Sequence, residues 1–227
     1  MTEISVANLD YKEYNRSADD MLSAVDKKIF FEGKVNKKYY QKIVLFRKYT
    51  LVNGGSCSDI KNIVSNDKDK KFYGVIDGDF ENKDLARIYQ IDFYSIENIV
   101  LLYHVTLAPY LKILISDLKN YYQKEKSIRH RLIQNINCTG HFVFKKDLEI
   151  NSQFHEYIDF KIFDETTFLK YMDLKNIVSS YMMFLKQNST IPKECRKAAK
   201  NYITSCDVIS ITDLFSNSEL QRVQQEL

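Results

Sequence analysis

The sequence predicts an α/β fold, a mainly parallel sheet flanked by helices and followed by a largely helical C-terminal region. Three observations carry that expectation. Short apolar runs at 28–33, 49–52, 72–76 and 88–91 each end at or just before Gly, Asn or Asp. Segments with helical spacing of apolar residues fall between the first runs, which argues for βαβ units and parallel pairing. After about residue 106 the short runs give way to long stretches of helical periodicity.

Composition bounds the rest. The chain has 227 residues, of which 44% are hydrophobic, enough to fill a core and to exclude wholesale disorder. Only 6 Gly, 2 Pro and 4 Cys argue against collagen-like and disulfide-scaffold classes. Cys57, Cys138, Cys195 and Cys206 have no metal-ligand spacing and are expected to be reduced thiols. The longest apolar stretch, 99–111, is too short to span a bilayer and contains His104 and Pro109. The opening MTEISVANLDYKEYN is polar and acidic and reads as neither signal nor transit peptide. A cytoplasmic protein without a membrane segment is expected. The net charge of +3 says little about partners by itself.

Residues 1–25 read as an irregular or short helical lead-in. Lys28–Gly33 (KIFFEG) then reads as a buried strand closed by Glu-Gly, and 36–46 as a helix. A second strand, 49–52, is expected to stop at Asn53-Gly54-Gly55. Ser56 and Asp59 form a capping box opening a helix with Ile60, Ile63 and Val64 inside. The third strand, 72–76, ends in Asp77-Gly78-Asp79, and the fourth, 88–91, leads to Ser95 as the cap of a helix at 96–105. Beyond residue 106, 107–136 and 166–187 carry helical periodicity, with Leu169, Met172, Ile177, Tyr181 and Leu185 on one face. Alternation at 141–145 and 157–163 predicts a strand or hairpin. Pro192 is expected to open a helix at 193–204, and the polar end QRVQQEL to fray.

Three carboxylates terminate predicted buried strands: Glu32 on the first, Asp77 and Asp79 on the third. In a parallel sheet the carboxyl ends of the strands line the crevice where ligands bind. Clustered carboxylates repel one another, and a hard divalent cation, Mg²⁺ or Mn²⁺, offsets that cost. Residues two apart on an extended segment face the same side, and Gly78 between the two aspartates lets the backbone turn closely.

These residues carry a resemblance. IFFEG, then about 45 residues, then YGVIDGDF resembles the TOPRIM-like nuclease family, with Glu on the first strand end and DxD on the third. The following IYQIDFYSIENIVLL is similar to the branch found beside ABC-type ATPases in anti-phage islands, the AriB-type effectors of PARIS defence systems. The likeness covers about residues 26–105, which would be the catalytic domain; 106–227 would be a mainly helical region for substrate or partner binding.

The resemblance implies Mg²⁺-dependent phosphodiester chemistry, with Mn²⁺ as an alternative. Glu32, Asp77 and Asp79 would be the catalytic residues and metal ligands. Glu97, in Ser95-Ile-Glu-Asn98, would be a further ligand. The chain reads Glu-Gly-Lys-Val-Asn36 where OLD-like relatives carry an acid at the last position, so a second ion would be held more weakly. It further implies an endoribonuclease that cleaves tRNA to arrest host translation in abortive infection, as a toxin effector released from an AriA-like ABC-type ATPase sensor and active as a homodimer. The competing expectations are an OLD-like DNA nuclease and a non-catalytic TOPRIM-fold interaction subunit.

A nucleic-acid surface is expected at 112–131, where six basic side chains stand against Asp117 and Glu125. Lys119, Lys124, Lys126, Arg129 and Arg131 would track phosphates, with Tyr121 and Tyr122 interleaved for stacking. Residues 186–200 carry a second basic run. Asn53-Gly54-Gly55-Ser56 lacks the Lys of a P-loop, and His104 reads as a core histidine.

Overall fold

Residues Lys28–Glu32 form strand β1, as the KIFFE run predicts. In the computed structural model, which describes residues 27–79, 85–124 and 161–227, β1 is an interior strand. After it come helix α1 (Lys34–Tyr40), a 3-10 turn at Val44–Lys48, β2 (Thr50–Gly55), helix α2 (Cys57–Ser65), β3 (Phe72–Ile76) and β4 (Ile88–Gln90). The strands lie in the order β2-β1-β3-β4 and every pairing is parallel.

Side chains alternate across the sheet with the strand period of two. Ile29, Phe31, Tyr73, Val75 and Tyr89 enter the larger apolar cluster, while Phe30, Ile76 and Ile88 enter the smaller one with Ile60 and Val64 of α2. The larger cluster also takes Tyr39 and Tyr40 from α1, where Phe31 stacks on Tyr40 at 4.8 Å and meets Phe46 edge-on. Each such aromatic side chain contributes about 1.5–3 kcal/mol by leaving water. Ser56 caps α2 in the predicted reciprocal box with Asp59.

The helical region begins with α3 (Ile96–Tyr103) and α4 (Ala108–Lys124) and resumes with α5 (Glu165–Tyr171) and α6 (Lys175–Gln187). Helices α7 (Lys193–Lys200), α8 (Tyr202–Ser205), α9 (Ile211–Leu214) and α10 (Asn217–Glu226) follow. All eight contribute side chains to the cluster that contains Ile29 and Phe31. One apolar core therefore joins the sheet to these helices. No single helix among the described residues is long and apolar enough to cross a membrane.

Several expectations are corrected. Strand β2 continues through Asn53-Gly54-Gly55, because Gly54 lets the strand approach Ile60 and Phe30 where a Cβ would collide. The helix expected at 36–46 starts earlier and ends at Tyr40, and the chain then tightens into the 3-10 turn. The single helix expected over 166–187 breaks at Met172-Asp173-Leu174, although Leu169, Met172, Ile177, Tyr181 and Leu185 are all buried. The helix after Pro192 divides at Asn201. QRVQQEL is helical and docked, with Val223 fully buried and the Tyr89 hydroxyl donating to Glu226 at 3.0 Å. Residues 161–163 are not in a strand; the rest of the expected hairpin and the 1–25 lead-in lie outside the described residues.

Candidate active site at the sheet switch point

From β1 the chain moves outward to β2, then returns past β1 to build β3 on the other side. The crevice beyond the carboxyl ends of β1 and β3 is therefore a topological switch point, where open parallel sheets bind ligands. Glu32 ends β1, and Asp77 follows the last residue of β3. The Asp77 amide donates to Glu32 Oε2 at 3.2 Å, so the two strand ends meet as their spacing predicts.

The Asp77-Gly78-Asp79 turn is held by main-chain bonds. The Gly78 amide donates to the Phe93 carbonyl at 2.9 Å and the Asp79 amide to the Tyr94 carbonyl at 3.0 Å. Asp79 has φ 43°, so the two aspartates are not two steps along an extended strand; a left-handed turn presents Asp79 instead. Gly78 is needed for a different close approach from the one expected. A Cβ there would run into the Phe93 carbonyl oxygen.

Two residues past Tyr94, α3 opens at Ile96, and Glu97 lies half-buried in its first turn. A negative charge at that helix end suits the macrodipole. Ser95 is at the N-cap but makes no side-chain cap bond, contrary to expectation. Its hydroxyl donates to Asn98 Oδ1 at 2.9 Å, while Asn98 Nδ2 donates to the Leu169 and Met172 carbonyls at 2.9 and 3.0 Å. Buried Asn98 thus ties the end of α5 to α3 and fixes the break that leads into α6.

The break delivers Lys175 to the crevice. Its Nζ is 3.1 Å from Asp77 Oδ2 and 3.6 Å from Asp79 Oδ1, and it sits over the Tyr94 ring at 5.2 Å. Asp77 is only 4% exposed. Burial pushes its carboxyl up to about 7; Lys175 works against that shift, and the charges of Glu32 and Glu97 add to it. Burial opposes the Lys175 charge, but Asp77, Asp79 and Glu97 outweigh it and hold the ammonium above its usual range.

Tyr40, the last residue of α1, packs on Phe31 in the core. Its hydroxyl is buried with no hydrogen-bond partner among the described residues. Burial raises its pKa well above the usual phenol range, and the charges of Asp77, Glu32 and Glu97 push the same way. The side chain therefore lies within electrostatic reach of three of the four predicted carboxylates.

Neither Lys175 nor Tyr40 was singled out by sequence reasoning. Tyr40 fitted a core position of the helix. Lys175 carried one local signal: a lysine opening a 13-residue helix stands at the positive end of the dipole, where a cation is disfavoured unless anions face it. Asn36 lies in the first turn of α1, with its amide group about 3.9 Å from where a Gly33 Cβ would stand.

Glu32, Asp77, Asp79 and Glu97 offer only hard oxygen donors, the chemistry that Mg²⁺ or Mn²⁺ takes. By donor type that set fits such an ion; as the side chains stand, no three acidic, His or Cys groups among the described residues converge closely enough to hold one.

The expected nucleic-acid surface is only partly described. Lys119 on α4 pairs with Glu165 at 3.4 Å, and Lys124 is exposed at the end of the same helix. Lys126, Arg129 and Arg131 lie outside the described residues. Tyr122 is buried against Phe168, with ring centroids 5.1 Å apart, so it packs in the core rather than offering a face to a base.

No protein-family model and no curated relative matches the chain.

Proposed function

We propose that the switch-point crevice is the active site of a metal-dependent phosphodiesterase of the TOPRIM-like kind that cleaves nucleic acid. The observation that carries this reading is the meeting of Glu32 and Asp77 at the carboxyl ends of β1 and β3, with Asp79 and Glu97 close behind. Glu32 is half-buried at the rim, where a carboxylate can take a proton from an attacking water or return one to a leaving oxygen. Asp77 and Asp79 would hold the ion, with Glu97 as a further ligand. A bound divalent cation would polarise the scissile phosphate and offset the charge of the crevice. Asp77 accepts this role at an electrostatic cost, because its burial resists ionisation even with Lys175 beside it.

RNA, specifically tRNA, is the proposed substrate, and the family resemblance supports it. Release from an ABC-type ATPase sensor and activity as a homodimer rest on that same support. Purified protein incubated with tRNA and with plasmid in Mg²⁺ tests the reading. Cleavage of tRNA that EDTA and Glu32→Ala both abolish is expected. Cleavage of plasmid alone would make the chain a DNA nuclease, and cleavage surviving in EDTA would overturn the metal-dependent mechanism.

One observation favours a second reading. Lys175 already neutralises Asp77 and Asp79, as a structural ion pair in a non-catalytic interaction subunit would. That reading predicts no Mg²⁺-dependent cleavage of either nucleic acid and no change on Asp77→Ala beyond stability.

A further inference from the structure

Lys175 enters the crevice against local preference. It opens a helix with no acidic residue in its first turn and no side-chain cap. Its charge there adds to the positive end of the dipole. The opposing carboxylates of Asp77 and Asp79 lie at 3.1 and 3.6 Å, and the Tyr94 ring lies beneath the ammonium. The stem remains about one-third exposed, so four rotatable bonds separate a seated ammonium from open water. The Tyr40 hydroxyl, buried with no hydrogen-bond partner among the described residues, feels the charges of Asp77, Glu32 and Glu97.

We propose that Lys175 is an internal counter-cation: its ammonium stands in for the divalent ion between Asp77 and Asp79 and must leave before that ion can enter. This rests on the phosphodiesterase reading and adds a control to it. An ammonium and a divalent cation cannot share two carboxylates at these distances without strong like-charge repulsion. With Lys175 seated, the crevice binds divalent metal weakly. With Lys175 withdrawn, its positive charge no longer competes for the same carboxylates, and they bind the divalent ion more tightly. The segment that aims Lys175 is the α5–α6 break, held by Asn98. Movement of that break therefore sets metal affinity, and through it the readiness of the site.

The test is Mn²⁺ binding to the full chain, read from the loss of the free-ion electron paramagnetic resonance signal. Four proteins are compared: wild type, Lys175→Met, Lys175→Arg, and Lys175→Met combined with Asp77→Asn. A charge within a few ångströms of a carboxylate alters its electrostatic balance by about tenfold or more. Lys175→Met is therefore expected to bind Mn²⁺ about tenfold or more tightly than wild type, Lys175→Arg no more tightly than wild type, and the double variant to lose the gain. Far-UV circular dichroism checks the fold, and Lys175→Gln replaces the Met variant in the comparison should that one unfold. Equal or weaker binding by the neutral variant would overturn the counter-cation role while leaving the metal-dependent reading intact. No Mn²⁺ binding by any of the proteins at millimolar ion would overturn both.

Discussion

The main-chain amide of Asp77 donates to the Glu32 carboxylate at 3.2 Å. The side chain that ends one strand is thus held by the backbone that ends its neighbour. This bond fixes the Glu32 head group without consuming either Asp77 oxygen, so one residue can be oriented by another while both remain available. It also separates the charge of Glu32 from its shape. Glu32→Gln keeps an oxygen able to accept the Asp77 amide proton and removes only the charge and the basic site. On the proposed phosphodiesterase reading, cleavage of tRNA in Mg²⁺ is expected to fall by about a hundredfold or more, with the thermal midpoint little changed. Glu32→Ala should lose the same activity and also some stability. Gel-based cleavage and thermal melting of the two variants check this.

Gly78 has no room for a side chain, since a Cβ would collide with the Phe93 carbonyl oxygen, a backbone atom that cannot swing aside. Gly78→Ala is expected to destabilise the fold by about 1–3 kcal/mol, as overpacking does. Relief of the collision would part the Asp77–Asp79 turn from the segment leading to Glu97. Urea unfolding measures the first effect and Mn²⁺ binding the second.

Asn98 satisfies the carbonyls of Leu169 and Met172 and receives the Ser95 hydroxyl proton, all within the core. Asn98→Leu keeps the branching and heavy-atom count, with bulkier methyl groups, and can answer none of these polar partners. Each buried group left unsatisfied costs about 1–3 kcal/mol. A lower urea midpoint is expected, together with faster amide exchange at the end of α5 and the start of α6. Hydrogen exchange followed by mass spectrometry resolves that segment from the sheet.

His104 is 1% exposed, with Nε2 3.0 Å from the Ser205 hydroxyl and no partner for Nδ1 among the described residues. Burial lowers its pKa below the ordinary 6.5, with the Asp207 charge opposing the shift. The unfolded chain therefore takes up a proton at a pH where the folded chain does not. Stability from this site is complete above about pH 6.5 and declines as pH falls from there through the lower folded value. The urea midpoint of the wild type should drop more between pH 7 and pH 5 than that of His104→Gln, and the difference between the two slopes isolates the histidine.

Much of the sheet was legible because its signals are local. Short continuous apolar runs, the Ser56/Asp59 box and the turn residues after β1 and β3 each act within a few positions. Parallel pairing followed from the helix between β1 and β2 and the helix between β2 and β3, and it brought Glu32 to Asp77. What was not legible depends on partners far along the chain. Gly54 reads as a loop until Ile60 is seen packing on it, and Met172–Leu174 reads as helix until Asn98 takes its carbonyls. The docked C-terminal helix reads as a frayed tail until Tyr89 meets Glu226. The role of Lys175 was hidden for the same reason, its one local signal being its place at a helix start. Its partners are two strand-end carboxylates, and sequence spacing carries no trace of that meeting.

The order in which these partners leave the ribosome gives the Lys175 contact a further meaning. Strands β1 to β4 emerge and can begin to pair long before α6 exists, and N-terminal segments generally fold first during synthesis. Over that interval the Lys175 ammonium is not yet beside Asp77 and Asp79, and the sheet face carrying Ile29, Phe31 and Tyr89 lacks most of its helical cover. The nascent sheet is thus both greasy on one side and over-charged at one edge. Arrival of the α5–α6 segment removes both faults in a single docking event.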